Sequence, residues 1–242
     1  MAQTAPHLHF PPELLLRAQG GGDGIKAAIF DVDGVLLDSL PQHLRYCELK
    51  AREYGLGLRM PDIAEFRDAI SRGLRVSPML HFFLAVGFPP KLAEQAVEAY
   101  KVEFVQRCPP PPFPGIADML RRLADAGLAL GLATSNTRDN VAPPLGAALA
   151  LFDPRAMFFF DDDQPSRDKR WCLVEGARRL GVQPASCVYV GDQPADRSAA
   201  ASAGVSFLAV RYGWGLPHAD PAFATVDSVP AIADALLAGQ PR

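Results

Sequence analysis

Two aspartates one residue apart follow a short apolar run in the stretch Ala27-Ala28-Ile29-Phe30-Asp31-Val32-Asp33-Gly34. The run lacks polar alternation and reads as a strand buried on both faces. Residues two apart at a strand end point to one side. Asp31 and Asp33 are therefore expected to share a small space, where one takes up a proton or a cation sits between them. Thr134-Ser135-Asn136 ends a second apolar run, and Gly191-Asp192, with Asp196 four residues on, ends another. Lys169 precedes the helix expected from Trp171. Carboxylates with few competing ligands suit Mg²⁺, which keeps several waters and joins one or two carboxylates to a substrate phosphate. The hydroxyls, backbone amides and Lys169 suit phosphate oxygens. An ionised aspartate needs no base to attack phosphorus, so Asp31 can accept a phosphoryl group as an aspartyl-phosphate. A protonated Asp33 can give its proton to the leaving alcohol and later take one from the hydrolysing water.

For these groups to meet, the chain must bring several strand ends to one edge. From Ile116 onward, helix and strand patterns alternate. Helices are expected over Ile116–Ala126, from Asp139 despite Pro143-Pro144, and over Trp171–Leu180, Arg197–Ala203 and Val229–Leu237. Strands are expected over Leu128–Ala133, Met157–Phe160, Ser186–Val190 and Ser206–Val210. This alternation predicts an α/β fold, a Rossmann-like parallel sheet with helices on both faces and ligands outside the strands' carboxyl ends. From Pro41 to about Cys108 the pattern is helical. Leu44, Cys47 and Ala51 mark one helix face, as do Ile63, Phe66 and Ile70. A stiff connector, Pro109–Pro112 with Phe113-Pro114-Gly115, follows. The expected organisation is a core from residues 25–39 and 113–242, an inserted helical unit over 40–112, and an N-terminal appendage over 1–24.

Composition narrows the partners. A hydrophobic content of 49% and a charged content of 21% are those of an ordinary globular protein. A net charge of -3 argues against a nucleic-acid partner. No apolar run is long enough to predict a membrane span, and the first residues lack the pattern of a secretory signal. Cys47, Cys108, Cys172 and Cys187 lie far apart and predict reduced thiols in a cytoplasmic protein. A calcium loop is excluded, because Gly34 stands fourth rather than sixth and Gln42 replaces the closing glutamate.

The segment from Asp31 to Ser39 resembles the first motif of the haloacid dehalogenase superfamily. Leu132-Ala133-Thr134-Ser135-Asn136 resembles its second motif, Lys169 its third, and Val190-Gly191-Asp192-Gln193-Pro194-Ala195-Asp196 its fourth. A helical insert just after the first motif, and the tail from Val210 to Gly215, are similar to the phosphoglycolate phosphatase and β-phosphoglucomutase branch, whose helical cap closes over the site. The resemblance implies a Mg²⁺-dependent phosphatase acting on a small phosphorylated metabolite, as a monomer or homodimer. It makes Asp31 nucleophile and metal ligand, and Asp33 acid/base with its main-chain carbonyl on the metal. Asp192 becomes a direct metal ligand and Asp196 an orienting group behind Lys169 or a metal-bound water. Thr134 and the amides of Ser135 and Asn136 hold phosphate. In the cap, Ser71-Arg72-Gly73 resembles a substrate-facing loop of the branch, which implies that Arg72 either meets an anionic substrate or stands in solvent. Arg170 follows Lys169 where the family often has proline, so Arg167 and Arg170 stand as alternatives to Lys169.

Other readings accompany these assignments. Asp196 alone would serve as a helix cap, Thr134 as a strand-end hydroxyl, Lys169 as a surface lysine and His43 as a packed side chain. Asp161-Asp162-Asp163 reads as an acidic loop at a strand end that could stand behind a metal. At the level of function, the alternatives are a phosphosugar mutase and a non-catalytic binding protein on the same fold.

Overall fold

The computed structural model describes residues 24–162, 168–216 and 223–238. The expected appendage, apart from Gly24, lies outside the described residues, as do Asp163 and Arg167. Six parallel strands form one sheet in the order β3-β2-β1-β4-β5-β6. They are β1 (Ala27–Phe30), β2 (Ala129–Ala133), β3 (Met157–Phe158), β4 (Cys187–Gly191), β5 (Ser206–Val210) and β6 (Ala224–Val226). The central strand β1 pairs through Phe30 with Leu132 of β2 and Val190 of β4. Those neighbours end in the second and fourth motifs, so the register alone brings three motifs to one edge.

Strand alternation sorts β1 between two cores. Ala28 and Phe30 pack with Leu130, Leu132, Val188 and Val190 against helices α5 (Ile116–Asp125) and α9 (Val229–Leu237). Ala27 and Ile29 pack with Tyr189 and Ala209 against α7 (Lys169–Arg179) and α8 (Pro194–Ala203). Full burial of Ile29 and Phe30 stabilises the sheet by roughly 1.5–3 kcal/mol per side chain. Asp31 continues the row of Ala27 and Ile29, the row that faces α7 and α8.

Two helix starts lie earlier than the sequence pattern predicts. Asp168 caps α7 by accepting a hydrogen bond from the Trp171 amide at 2.7 Å, so Lys169 is the first residue of the helix rather than part of a preceding loop. Pro194 begins α8, three residues before Arg197. Its missing N–H costs nothing in the first turn, and Gln193 and Asp196 form a capping box there. Strand β3 is shorter than expected, because the Phe160 amide turns to the Asn136 carbonyl at 2.9 Å. Three-residue β6 was not legible, being too short for a periodic signal. Helix α6 (Arg138–Leu145) does form with both prolines in its last turns.

Between β1 and α5 lie α1 (Leu40–Glu53), α2 (Ile63–Ser71), α3 (Met79–Ala85) and α4 (Pro90–Arg107). Leu44, Phe66, Phe82, Phe83 and Phe104 belong to a hydrophobic cluster of their own. The two connections to the sheet run side by side: Asp38 N–H donates to Pro111 O at 2.9 Å and Phe113 N–H to Leu36 O at 3.0 Å. Trp214, in the loop after β5, joins the helical cluster, its ring 5.1 Å from His43 and 5.9 Å from Phe82.

Candidate active site

The strand ends meet below the helical unit. Lys169 Nζ donates to Asp31 Oδ2 at 2.9 Å and to Asp196 Oδ1 at 2.8 Å. Helix α7 delivers the lysine because its capped start faces the end of β1. Arg170, the other described candidate, points elsewhere, its Nε donating to the Ser202 carbonyl at 3.0 Å. Asp196 combines the two roles weighed for it. Its Oδ2 accepts from the Asp192 and Gln193 amides at 3.1 and 3.0 Å, which caps α8, while Oδ1 holds the lysine.

Oxygens of Asp31, Asp192 and Asp196 lie within 4.8 Å of one another, all three residues buried. Asp192 Oδ2 accepts from the Trp214 amide, but its Oδ1 is buried without a protein partner. Glycines shape this pocket. A Cβ on Gly34, which has φ of +79°, would strike Asp192 Oδ2, and one on Gly213 would strike Asp192 Cβ. An orphaned carboxylate oxygen among three buried carboxylates is the donor set of a hard cation. The Asp33 side chain is not in that cluster. It lines the same cavity as Asp31, and its Oδ2 accepts from Asn136 Nδ2 at 3.0 Å. Any metal contact from Asp33 would therefore come from its main chain.

Charge and burial set the protonation of the cluster. Burial raises Asp31 to about 7; Lys169 opposes this and Asp196 adds to it. Burial, with Asp196 and Asp31 beside it, pushes Asp192 well above the ordinary carboxylate range. Burial acts to lower Lys169, but Asp196 and Asp31 outweigh it and hold the ammonium well above its usual range. The premise that Asp31 is ionised at neutral pH thus depends on more positive charge than Lys169 brings, and a bound divalent cation would supply it.

The second motif behaves differently from expectation at one residue. Thr134 and Ser135 line the same cavity as Asp31. The Asn136 amide, expected to be open for phosphate, donates to Thr134 Oγ1 at 3.1 Å. Its side chain instead donates to Asp33, and Tyr100 lines the same cavity from the helical side. Tyr100 OH lies 3.0 Å from His43 Nε2, and His43 Nδ1 lies 2.7 Å from the Ser39 carbonyl. That carbonyl can only accept, so Nδ1 carries a hydrogen and the neutral ring accepts the tyrosine proton at Nε2. Burial keeps His43 neutral by lowering it; Asp33 and the Ser39 carbonyl act the other way. Ser39, His43 and Tyr100 thus form one hydrogen-bonded chain, and Asn136 and Asp33 a second pair lining the same cavity as His43 and Tyr100. No spacing rule could have found Tyr100, which lies far from the motifs in sequence, whereas Trp214 belongs to the tail from Val210 to Gly215.

Arg72 is not brought into the cavity. It closes α2, stays exposed and pairs with Asp68 one turn back. Arg75, three residues on, lines the cavity. Of the acidic run, Asp161 accepts from the Arg138 amide at 2.9 Å and Asp162 from the Phe159 amide at 2.9 Å. Both serve the local loop, outside the carboxylate cluster.

A parallel sheet that gathers carboxylates, one lysine and hydroxyls at its carboxyl edge defines an α/β enzyme of small charged substrates. The family of haloacid dehalogenase-like hydrolases matches residues 25–204. A phosphoglycolate phosphatase of Synechococcus elongatus is 31% identical over 78% of this chain and 85% of its own length. An N-acetylmuramic acid 6-phosphate phosphatase of Pseudomonas aeruginosa is 29% identical over 82% and 87%. Among solved structures, CbbY of Rhodobacter sphaeroides in complex with phosphate superposes with a TM-score of 0.66 at 22% identity, covering 88% of this chain and 99% of that one. The chain belongs to the haloacid dehalogenase-like hydrolase family, and it is an enzyme of the phosphatase kind. No helix among the described residues is long and apolar enough to cross a membrane.

Proposed function

We propose that this protein is a Mg²⁺-dependent hydrolase of a small phosphate monoester. The observation that carries the reading is the lysine bridge, with Lys169 Nζ held at once by Asp31 and Asp196 beside the unpartnered Asp192 Oδ1. Asp31 and Asp192, with the Asp33 main-chain carbonyl, would hold the cation, which when bound lowers the repulsion between an anionic phosphate and an anionic nucleophile. Asp31 attacks phosphorus and carries the phosphoryl group. Asp33 protonates the leaving alcohol and then deprotonates water. Thr134, Ser135 and the main chain at Asn136 bind phosphate oxygens, the Asn136 amide exchanging Thr134 Oγ1 for the ligand. Lys169 offsets charge at Asp31 while Asp196 fixes its direction. The four helices over 40–112 act as a cap that excludes water from the first step. Four cysteines scattered along the chain without a disulfide support a cytoplasmic setting. The test is Mg²⁺-dependent phosphate release and its loss in Asp31→Asn, which keeps the shape and removes the nucleophile. Undiminished turnover in that variant would sink the mechanism, and an isomerised sugar phosphate in place of free phosphate would favour a mutase.

A further inference from the structure

The cavity over the strand ends has a volume of about 1020 Å³. Pockets that enclose drug-sized ligands run to about 300–1,000 Å³. A phosphoryl group fills only the end of it near Asp31 and Thr134, so most of the space belongs to the leaving group.

The walls of that remaining space are mainly apolar. Leu74, Met79, Leu80 and Val97 line it from the helical side. From the sheet side comes Phe160, whose ring is 55% exposed. Its amide is fixed to the Asn136 carbonyl, so this bare ring stands beside the phosphate-binding turn. Of the polar groups on the helical wall, Arg75 is exposed and the rest are mostly engaged. Lys101 is paired with Glu98 at 2.6 Å, Ser77 Oγ bonds Ser135 Oγ at 3.0 Å, and Tyr100 bonds His43. A polyhydroxylated leaving group placed against Leu74, Met79, Leu80, Val97 and Phe160 would give up water there and find few partners for its hydroxyls beyond Arg75. An apolar leaving group would instead cover Phe160 and the aliphatic wall.

We infer that the substrate is a phosphate monoester of a bulky alcohol with an apolar face, larger than a two-carbon acid or a bare sugar. This inference rests on the phosphatase reading and deepens it. The alcohol oxygen sits at Asp33 and its carbon skeleton lies between Phe160 and the segment from Leu74 to Leu80.

A homologous series of alkyl phosphates, ethyl to octyl, tests it, because the leaving oxygen keeps the same reactivity along the series. With Mg²⁺ present, kcat/KM should rise roughly two- to fourfold per methylene up to about hexyl. Hexyl phosphate should exceed 2-phosphoglycolate and glucose 6-phosphate at least tenfold. Leu80→Asp should flatten the slope of the series, and Phe160→Ala should lower it. A flat series in the native enzyme, or a tenfold preference for 2-phosphoglycolate or glucose 6-phosphate over hexyl phosphate, overturns the inference while leaving the phosphatase standing. No phosphate release from any ester, 4-nitrophenyl phosphate included, would overturn both.

Discussion

Lys169→Met tests whether the lysine bridge is the electrostatic keystone of the site. Methionine keeps most of the apolar stem and deletes the charge. The ammonium it removes lies 2.9 Å from Asp31 and 2.8 Å from Asp196, whose side chains are 6% and 3% exposed. Breaking a buried ion pair costs about 3–5 kcal/mol, because the remaining charge loses its compensation. Lys169 keeps 24% exposure, so solvent carries part of that charge and the expected loss falls to about 2–3 kcal/mol. For a chain of this size the loss is roughly 5–10 °C in Tm. Its pH dependence has a definite sign. The native Lys169 is held above its ordinary value, so its contribution is complete below pH 10 and constant between pH 5.5 and 8. Asp31 is raised from 3.8 to about 7, so the native protein without metal loses stability as pH climbs through that interval. Without the lysine the Asp31 value rises further and the falling window extends upward. The variant should therefore lose more stability at pH 8 than at pH 5.5, measured by urea or thermal unfolding in EDTA. Phosphate release with Mg²⁺ should fall about 10²–10³-fold, the scale of losing one preorganised charge-stabilising group. An equal deficit at both pH values, or turnover close to native, would refute the reasoning.

Other expectations follow from the same geometry. Cation binding must displace a proton from Asp31, which burial raises to about 7, so the apparent affinity for Mg²⁺ should tighten about tenfold per pH unit below pH 7 on account of that proton, and the raised Asp192 steepens the dependence. Calorimetry in two buffers of different ionisation enthalpy measures that release, and a pH-independent affinity would count against the cluster as the site. Tyr100→Phe removes the hydroxyl bonded to His43 in the cavity that Asp33 also lines; kcat should drop about three- to tenfold with KM little changed, the size of one lost hydrogen bond of about 1 kcal/mol, and an unchanged kcat would show that Tyr100 does not act on Asp33. Arg75→Ala should raise KM severalfold for substrates with a second negative group, since Arg75 lines the cavity, while Arg72→Ala should change nothing beyond its surface pair with Asp68. The reverse ranking in steady-state kinetics would restore Arg72 to the substrate.

Much of the site was written in local sequence. Asp31, Asp33, Thr134, Asp192 and Asp196 follow apolar runs, and strands of a parallel sheet must end at one edge, so their meeting required only the βα alternation. The helices between β1 and α5 were legible because periodicity changes there from strand-helix alternation to helix after helix. Other features depended on distance. The third-motif cation was undecided between Lys169 and its arginine neighbours until the Asp168 cap fixed where α7 begins and therefore which side chain faces β1. A one-residue change in that start would have rotated the choice by about 100° around the helix. Asp31 and Asp33, equivalent by spacing, were separated by their surroundings. One faces Lys169 from α7, the other Asn136 and the helical unit. Arg72 lies at the surface and Arg75 lines the cavity because the end of α2 turns the first outward, and no periodicity specifies how a loop leaves a helix. Sequence by itself thus determined the fold, the order of the motifs and the chemical character of the edge, since these rest on local pattern and strand register. Tertiary structure alone decided which cation serves Asp31, what reaches Asp33 and how large and apolar the space above them is, because each depends on side chains brought together from distant parts of the chain.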